Sequence, residues 1–151
     1  MSLSPDETAA VIFHDGTAGG FVPAQSLSLF NLEERAPSRI LLDAPAWDLI
    51  FLDSGVVPDS DDEHVIVVLK DSARLVRYNL RDYSQVVLDT YASPWSIGRA
   101  PPADGEPEQL FVVHRSTLGL ISFVDPGAAT EPPGGFPAVT GMADVGLLEV
   151  R

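Results

Sequence analysis

The feature that most constrains this chain is its similarity to itself. Leu27-Ser28-Leu29-Phe30-Asn31-Leu32 lines up with Leu75-Val76-Arg77-Tyr78-Asn79-Leu80 and then with Leu120-Ile121-Ser122-Phe123-Val124-Asp125. Phe30 and Tyr78 are 48 positions apart, and Tyr78 and Phe123 are 45 apart. A second element, Leu41-Leu42-Asp43-Ala44-Pro45-Ala46-Trp47, returns as Val87-Leu88-Asp89-Thr90-Tyr91-Ala92-Ser93-Pro94-Trp95, with its two tryptophans 48 apart. Ahead of these, Val11-Ile12-Phe13-His14, Val65 to Leu69 and Phe111-Val112-Val113-His114 form a third. Three elements recurring in one order define a repeat of about 45–48 residues.

Each unit is made of strands. The apolar runs are short, rich in β-branched and aromatic residues, and bounded by turn residues. Several alternate with period two, and none carries a helical stripe over a helical length. Twelve Gly and 13 Pro supply the punctuation. The expected class is all-β: four short antiparallel strands per unit, the size of a β-propeller blade. Over residues 1–151 this predicts one partial propeller of about three blades, at approximately 3–48, 49–96 and 97–151. The phase reads as permuted, opening on the turn after a first strand and closing on a first strand at Asp144-Val145-Gly146-Leu147-Leu148-Glu149-Val150.

Leu3-Ser4-Pro5-Asp6-Glu7 before an apolar strand resembles the Ser-Pro-Asp turn of bacterial YVTN-type (YncE-like) propellers. Leu120-Ile121-Ser122-Phe123-Val124-Asp125-Pro126 similarly resembles that family's third strand, which ends in Val-Asp or Ile-Asp. The Tyr-Val-Thr-Asn strand itself is absent. The resemblance implies a closed ring, often on an exported protein, with ligands on the face built by second-to-third and fourth-to-first loops. Closed rings have about 4–8 blades. Three blades therefore leave three arrangements: two copies forming a six-bladed ring, the end of a larger propeller, or an open array. The expected partner is a second copy of the chain or the remainder of a longer one.

Charge narrows the function classes. Nine Lys and Arg stand against 22 Asp and Glu, a net charge of -13. That opposes nucleic-acid binding, which needs a cationic surface, and an anionic membrane surface. No run approaches the length of a spanning helix, so membrane insertion is not expected. Met1 to Glu7 has no basic, apolar leader character, and no compartment is assigned. Without cysteine the chain has no disulfide, thiol catalyst or Cys-ligated metal. Nine of the acids (Asp6, Glu7, Asp59, Asp61, Asp62, Glu63, Asp104, Glu106 and Glu108) fall in first-to-second turns. They are read as solvated turns that oppose edge pairing; Asp59-Ser60-Asp61-Asp62-Glu63 lacks the spacing of a Ca²⁺ loop.

The candidate ligand-binding residues are His14, Trp47, Trp95 and His114, placed on one face by the repeat. Two imidazoles and two indoles suit part of a ring that stacks a planar or sugar-like ligand, or that holds a metal through the imidazole nitrogens. The structural alternative is that the indoles fill the wedge between blades and the imidazoles are solvated. His64 belongs to the opposite face. No nucleophile elbow, zinc-helix motif or phosphate loop is present, and neither Gly16-Thr17-Ala18-Gly19-Gly20 nor Gly134-Gly135 opens a helix. No catalytic residue, metal ligand or cofactor is assigned. The expected function is a non-enzymatic binding or scaffold module; the alternative is a metal-dependent, lactonase-like hydrolase using first-strand groups such as Asp48 and Asp144.

Overall fold

A computed structural model describes residues 1–14, 25–90, 92–100, 109–115, 120–124 and 142–144. The described residues form twelve strands in three antiparallel sheets of four. Sheet 1 holds β1 (Ser2–Leu3), β2 (Ala9–His14), β3 (Ser26–Asn31) and β4 (Ala36–Leu41). Sheet 2 holds β5 (Ala46–Leu52), β6 (His64–Leu69), β7 (Arg74–Asn79) and β8 (Gln85–Asp89). Sheet 3 holds β9 (Pro94–Ala100), β10 (Gln109–His114), β11 (Leu120–Val124) and β12 (Met142–Asp144). Every strand pairs with its neighbour in sequence, so each sheet is a meander.

Side-chain alternation explains why the sheets stack. In β6 every residue is buried, because the strand has a neighbour on both faces. Val65, Val67 and Leu69 meet Val11, Leu27 and Leu29 of sheet 1 in one core. Ile66 and Val68 turn the other way and meet Ile97, Leu110 and Val112 of sheet 3 in a second. The fourth strands β4 and β8 are the least enclosed, with exposed residues alternating along them. Sheet 2 is thus the middle layer, and its β-branched content suits a strand buried on both sides.

The repeat also governs the turns. Asn31 and Asn79 end the third strands; Asn31 Oδ1 accepts from the Glu34 amide at 2.9 Å and Asn79 Oδ1 from the Arg81 amide at 2.7 Å. In the same turns Arg35 and Tyr83, 48 apart, take positive φ of 54° and 62°. The Ser-Pro-Asp turn is tied by its own side chains. Asp6 Oδ1 accepts from the Ser4 hydroxyl at 2.7 Å and the Thr8 amide at 2.9 Å, and Ser4 Oγ accepts from the Ala9 amide at 3.0 Å.

Three expectations need revision. The sheets run through consecutive strands from 2 to 41, 46 to 89 and 94 to 144, so divisions after 48 and 96 fall inside β5 and β9. A repeat length fixes a period and leaves its phase open. The chain therefore does not open on a second strand: β1 is a short first strand. At the other end, Met142–Asp144 pairs with β11 as a fourth strand, and residues 145–151 lie outside the described residues. Finally, the third repeat lies one residue out of the register that the sequence alignment predicts. Ala10 opposes Phe30 and Val65 opposes Tyr78, but Leu110 opposes Val124, not Phe123. A slip of one exchanges faces, which puts Val124 in the core and Phe123 on the opposite side.

Candidate functional site

Trp47 and Trp95 are the second residues of β5 and β9, inside the strands. These first strands of sheets 2 and 3 are joined by contacts between positions one repeat apart. Asp48 Oδ2 accepts from the Ser96 hydroxyl at 2.8 Å and the Ile97 amide at 3.2 Å. Arg99 donates to the Phe51 carbonyl at 2.6 Å and to Asp53 at 3.3 Å. With both strands clamped, the indoles meet with ring centroids 4.8 Å apart and planes tilted by 44°.

The indoles do not fill a wedge: they remain 43% and 42% exposed. Each carries a cation from its own sheet. Lys70 Nζ lies 5.1 Å from the Trp47 ring centre, and the Arg115 guanidinium 5.5 Å from that of Trp95. Each such contact contributes about 0.5–1 kcal/mol at an exposed position. Lys70 and Arg115 follow directly on the second strands β6 and β10, so both are placed by the repeat. Their backbone amides also bond back across the sheet, Lys70 to the Pro45 carbonyl and Arg115 to that of Ser93, both at 2.8 Å. Neither cation is among the candidates drawn from the sequence, although a basic residue stands at the same place in two repeats.

The histidines are engaged within their own sheets. His14 ends β2, half-buried, with Nε2 2.9 Å from the Ser28 hydroxyl. His114 ends β10, buried, with Nε2 2.5 Å from the Ser122 hydroxyl and Nδ1 2.9 Å from the Ala92 carbonyl. The carbonyl can only accept, so Nδ1 carries the proton and Nε2 accepts from Ser122. Burial pushes the His114 pKa below the ordinary histidine value, against the opposing pull of the Ala92 carbonyl. His14 lies on the face of sheet 1 turned away from sheet 2, whereas His114 shares the parity of Leu110 and Val112 and faces sheet 2. The fold thus brings the two tryptophans together, and holds each histidine on a serine of its own sheet. His64, the first residue of β6, is buried with Nδ1 3.1 Å from the Asp62 carbonyl.

An acidic cleft of about 460 Å³ lies between the turns of sheets 1 and 2, lined by Asp6, Glu33, Glu34, Asp61, Asp62 and Glu63 among others. Arg81 enters it and pairs with Asp62 at 3.4 Å. Glu63 is pushed upward by desolvation and by the neighbouring Asp6 carboxyl. Asp6 itself is pushed up by desolvation, but hydrogen bonds from the Thr8 amide, Ser4 and Glu63 outweigh that and hold it well below the carboxylate range. These two acids are therefore not independent solvated charges. Asp104, Glu106 and Glu108 and both glycine-rich segments lie outside the described residues. Among the described residues, no group of three or more His, Asp or Glu side chains is placed to hold a metal ion, and no helix is long and apolar enough to cross a membrane. Asp48 is taken up by Ser96 and Ile97, and the Asp144 side chain is outside the described residues.

No protein-family model and no curated protein matches the chain. Its fold is similar to that of the BBS1N chain in a crystal structure of BBS1N in complex with ARL6DN, soaked with lead. The TM-score is 0.52 at 11% identity, over 82% of this chain and 41% of that one. BBS1N is a β-propeller-type domain. The three sheets are propeller-like blades. The chain spans less than half the length of the propeller chain it matches. Two of its blade-to-blade contacts are complete, between blades 1 and 2 and between blades 2 and 3.

Proposed function

We propose that this chain is a non-enzymatic binding and scaffold module whose three blades are part of a larger ring, closed by a second copy. One observation carries the reading: the outward faces of blades 1 and 3 repeat the pattern of the two internal interfaces. Positions 2, 4 and 6 of a second strand face the preceding blade, as Val65, Val67 and Leu69 do, and as Leu110, Val112 and His114 do. Positions 1, 3 and 5 face the following blade, as Ala9, Val11 and Phe13 do.

By the same rule, the half-buried Ile12 and His14 of blade 1, beside the already buried Ala10, face the side of a preceding blade, and Phe111 and Val113 of blade 3 face that of a following one. Phe111 opposes Phe123 and Val113 opposes Ile121, two apolar pairs side by side on that face. These four side chains are half-buried, and an apolar sheet face with no blade packed on it among the described residues is an association surface. The pair His14–Ser28 also has an internal counterpart, since His114–Ser122 is accommodated where blade 3 faces blade 2. Two chains packed head to tail, twice, make a six-bladed ring with an isologous two-fold.

The finer kinship we favour is the YVTN/YncE-like group, on the hydrogen-bonded Ser4-Pro5-Asp6 turn. The match to BBS1N over 41% of its length suits a chain that is part of a ring. BBS1N is seen with a protein partner, and binding by this module is read in the same sense. The test is Val113→Asp, which puts a charge in the apolar face without touching either internal core. It is expected to halve the solution mass of a dimeric chain while leaving its strand spectrum unchanged. An unchanged oligomer would count against closure through this face.

A further inference from the structure

We propose that the paired indoles of Trp47 and Trp95, with Lys70 and Arg115, form a binding site for a small ring-bearing carboxylate. The ligand is one whose apolar ring face lies on an indole while its single carboxylate meets a cation. This goes beyond ring closure, and all four residues belong to one chain, so the site exists in monomer and dimer alike.

Four observations lead to that chemistry. First, the exposed indoles touch each other, while other large exposed apolar residues such as Leu41 and Val87 belong to separate fourth strands. Second, contacts at both ends of β5 and β9 hold the pair in place, so little ordering remains to be done on binding. Third, the cations sit beside ring faces. Lys70 is the sole lysine of a chain with 22 acids, and no carboxylate among the described residues lies within ion-pairing distance of it. Arg115 pairs with Asp71 at 3.4 Å, with both side chains mostly exposed, which leaves the guanidinium open to a second acceptor.

Fourth, the spacing excludes insertion. A ring sandwiched between two others needs about 7 Å, two van der Waals layers of about 3.5 Å each. At 4.8 Å the gap is too small, so the ligand lies on the exposed flank of the pair. The net charge of -13 sets the size limit: one carboxylate is satisfied locally by Lys70, whereas a polyanion would meet the acids of the whole chain. Two chemical sources supply such a group, an acidic monosaccharide and an aryl carboxylate.

The two tryptophans are the only ones in the chain, so tryptophan emission, excited selectively beyond the tyrosine band, reports on this site alone. The chain is titrated with glucuronate, benzoate and neutral glucose, and the tryptophan emission is followed. A saturable change with either acid, at least tenfold weaker with glucose, supports the site. Response to glucuronate alone assigns the sugar acid, to benzoate alone the aryl acid, and to both the shared chemistry. Lys70→Gln, at a half-buried position, is expected to weaken the response at least tenfold, with a cooperative thermal transition lowered only by the few degrees that loss of the Trp47 contact costs. No saturable response to either acid, equal response to glucose, or undiminished binding by Lys70→Gln overturns the proposal. None of these outcomes depends on solution mass, so failure here leaves ring closure standing.

Discussion

Asp48 accepts a hydrogen bond at 2.8 Å from Ser96, the residue that holds the same place one 48-residue repeat later. Trp47 meets Trp95 and Phe51 meets Arg99 at the same offset. Blades 2 and 3 are therefore joined at their first strands by position-matched contacts. Removing the carboxylate in Asp48→Ala leaves the Ser96 hydroxyl and Ile97 amide unpaired. The expected cost is about 1–2 kcal/mol, since the bonds run to a charged acceptor at a half-buried site. Denaturant unfolding of Asp48→Ala, Ser96→Ala and the double variant measures the coupling. Strict additivity would deny the link between the blades.

Gly98 is required by its cross-strand neighbour. A Cβ at this position would lie 2.4 Å from the Phe111 ring, and Gly98 and Phe111 are register partners. The ring covers the bare backbone, so Gly98→Ala forces Phe111 aside. A loss of about 1–3 kcal/mol is expected. Pairing the change with Phe111→Leu should recover part of it, and no recovery would rule out the clash as the cause.

Arg35 and Tyr83 share a left-handed backbone and differ in what their side chains do. Arg35 is exposed, so Arg35→Gly relieves the conformation at little loss and is expected to stabilise by about 0.5–1 kcal/mol. Tyr83 packs against the core between blades 1 and 2, so Tyr83→Gly should destabilise despite the same φ. Thermal midpoints that move in the same direction for both would contradict this division.

His114 makes stability depend on pH. Its folded pKa is lowered by burial, so the stability it contributes is present above the unfolded value of 6.5 and is lost as pH falls through the folded value. His64 adds to the slope with the same sign, lowered by burial and by the nearby Arg77 cation. His114→Gln should cost about 1–2 kcal/mol at pH 7.5 through its two hydrogen bonds. It should also shrink the fall in stability between pH 7 and 5.5. An unchanged slope would remove His114 from the account.

The strands and their class were legible because period-two runs between turn residues report burial on sheet faces directly. The second strands ending at His14, Leu69 and His114 were read correctly for that reason. Phase was not legible, because a repeat can be cut anywhere; this is why β5 and β9 were divided in the sequence reading. The register of β11 was missed because Phe123 matches Phe30 and Tyr78 in kind, while only backbone pairing shows that Val124 opposes Leu110. At the candidate site the indoles were visible as a repeated residue. Lys70 and Arg115 were not, since a cation at a strand end looks like solvated surface until an aromatic ring is found beneath it.

The central claim is that three blades with two internal interfaces form an incomplete ring, closed by the same kind of contact from a second copy. The mass of the chain in solution, by light scattering at tens of micromolar, tests it most directly. The expected result is a species of twice 16.2 kDa. A stable, folded monomer of 16.2 kDa would contradict closure by self-association.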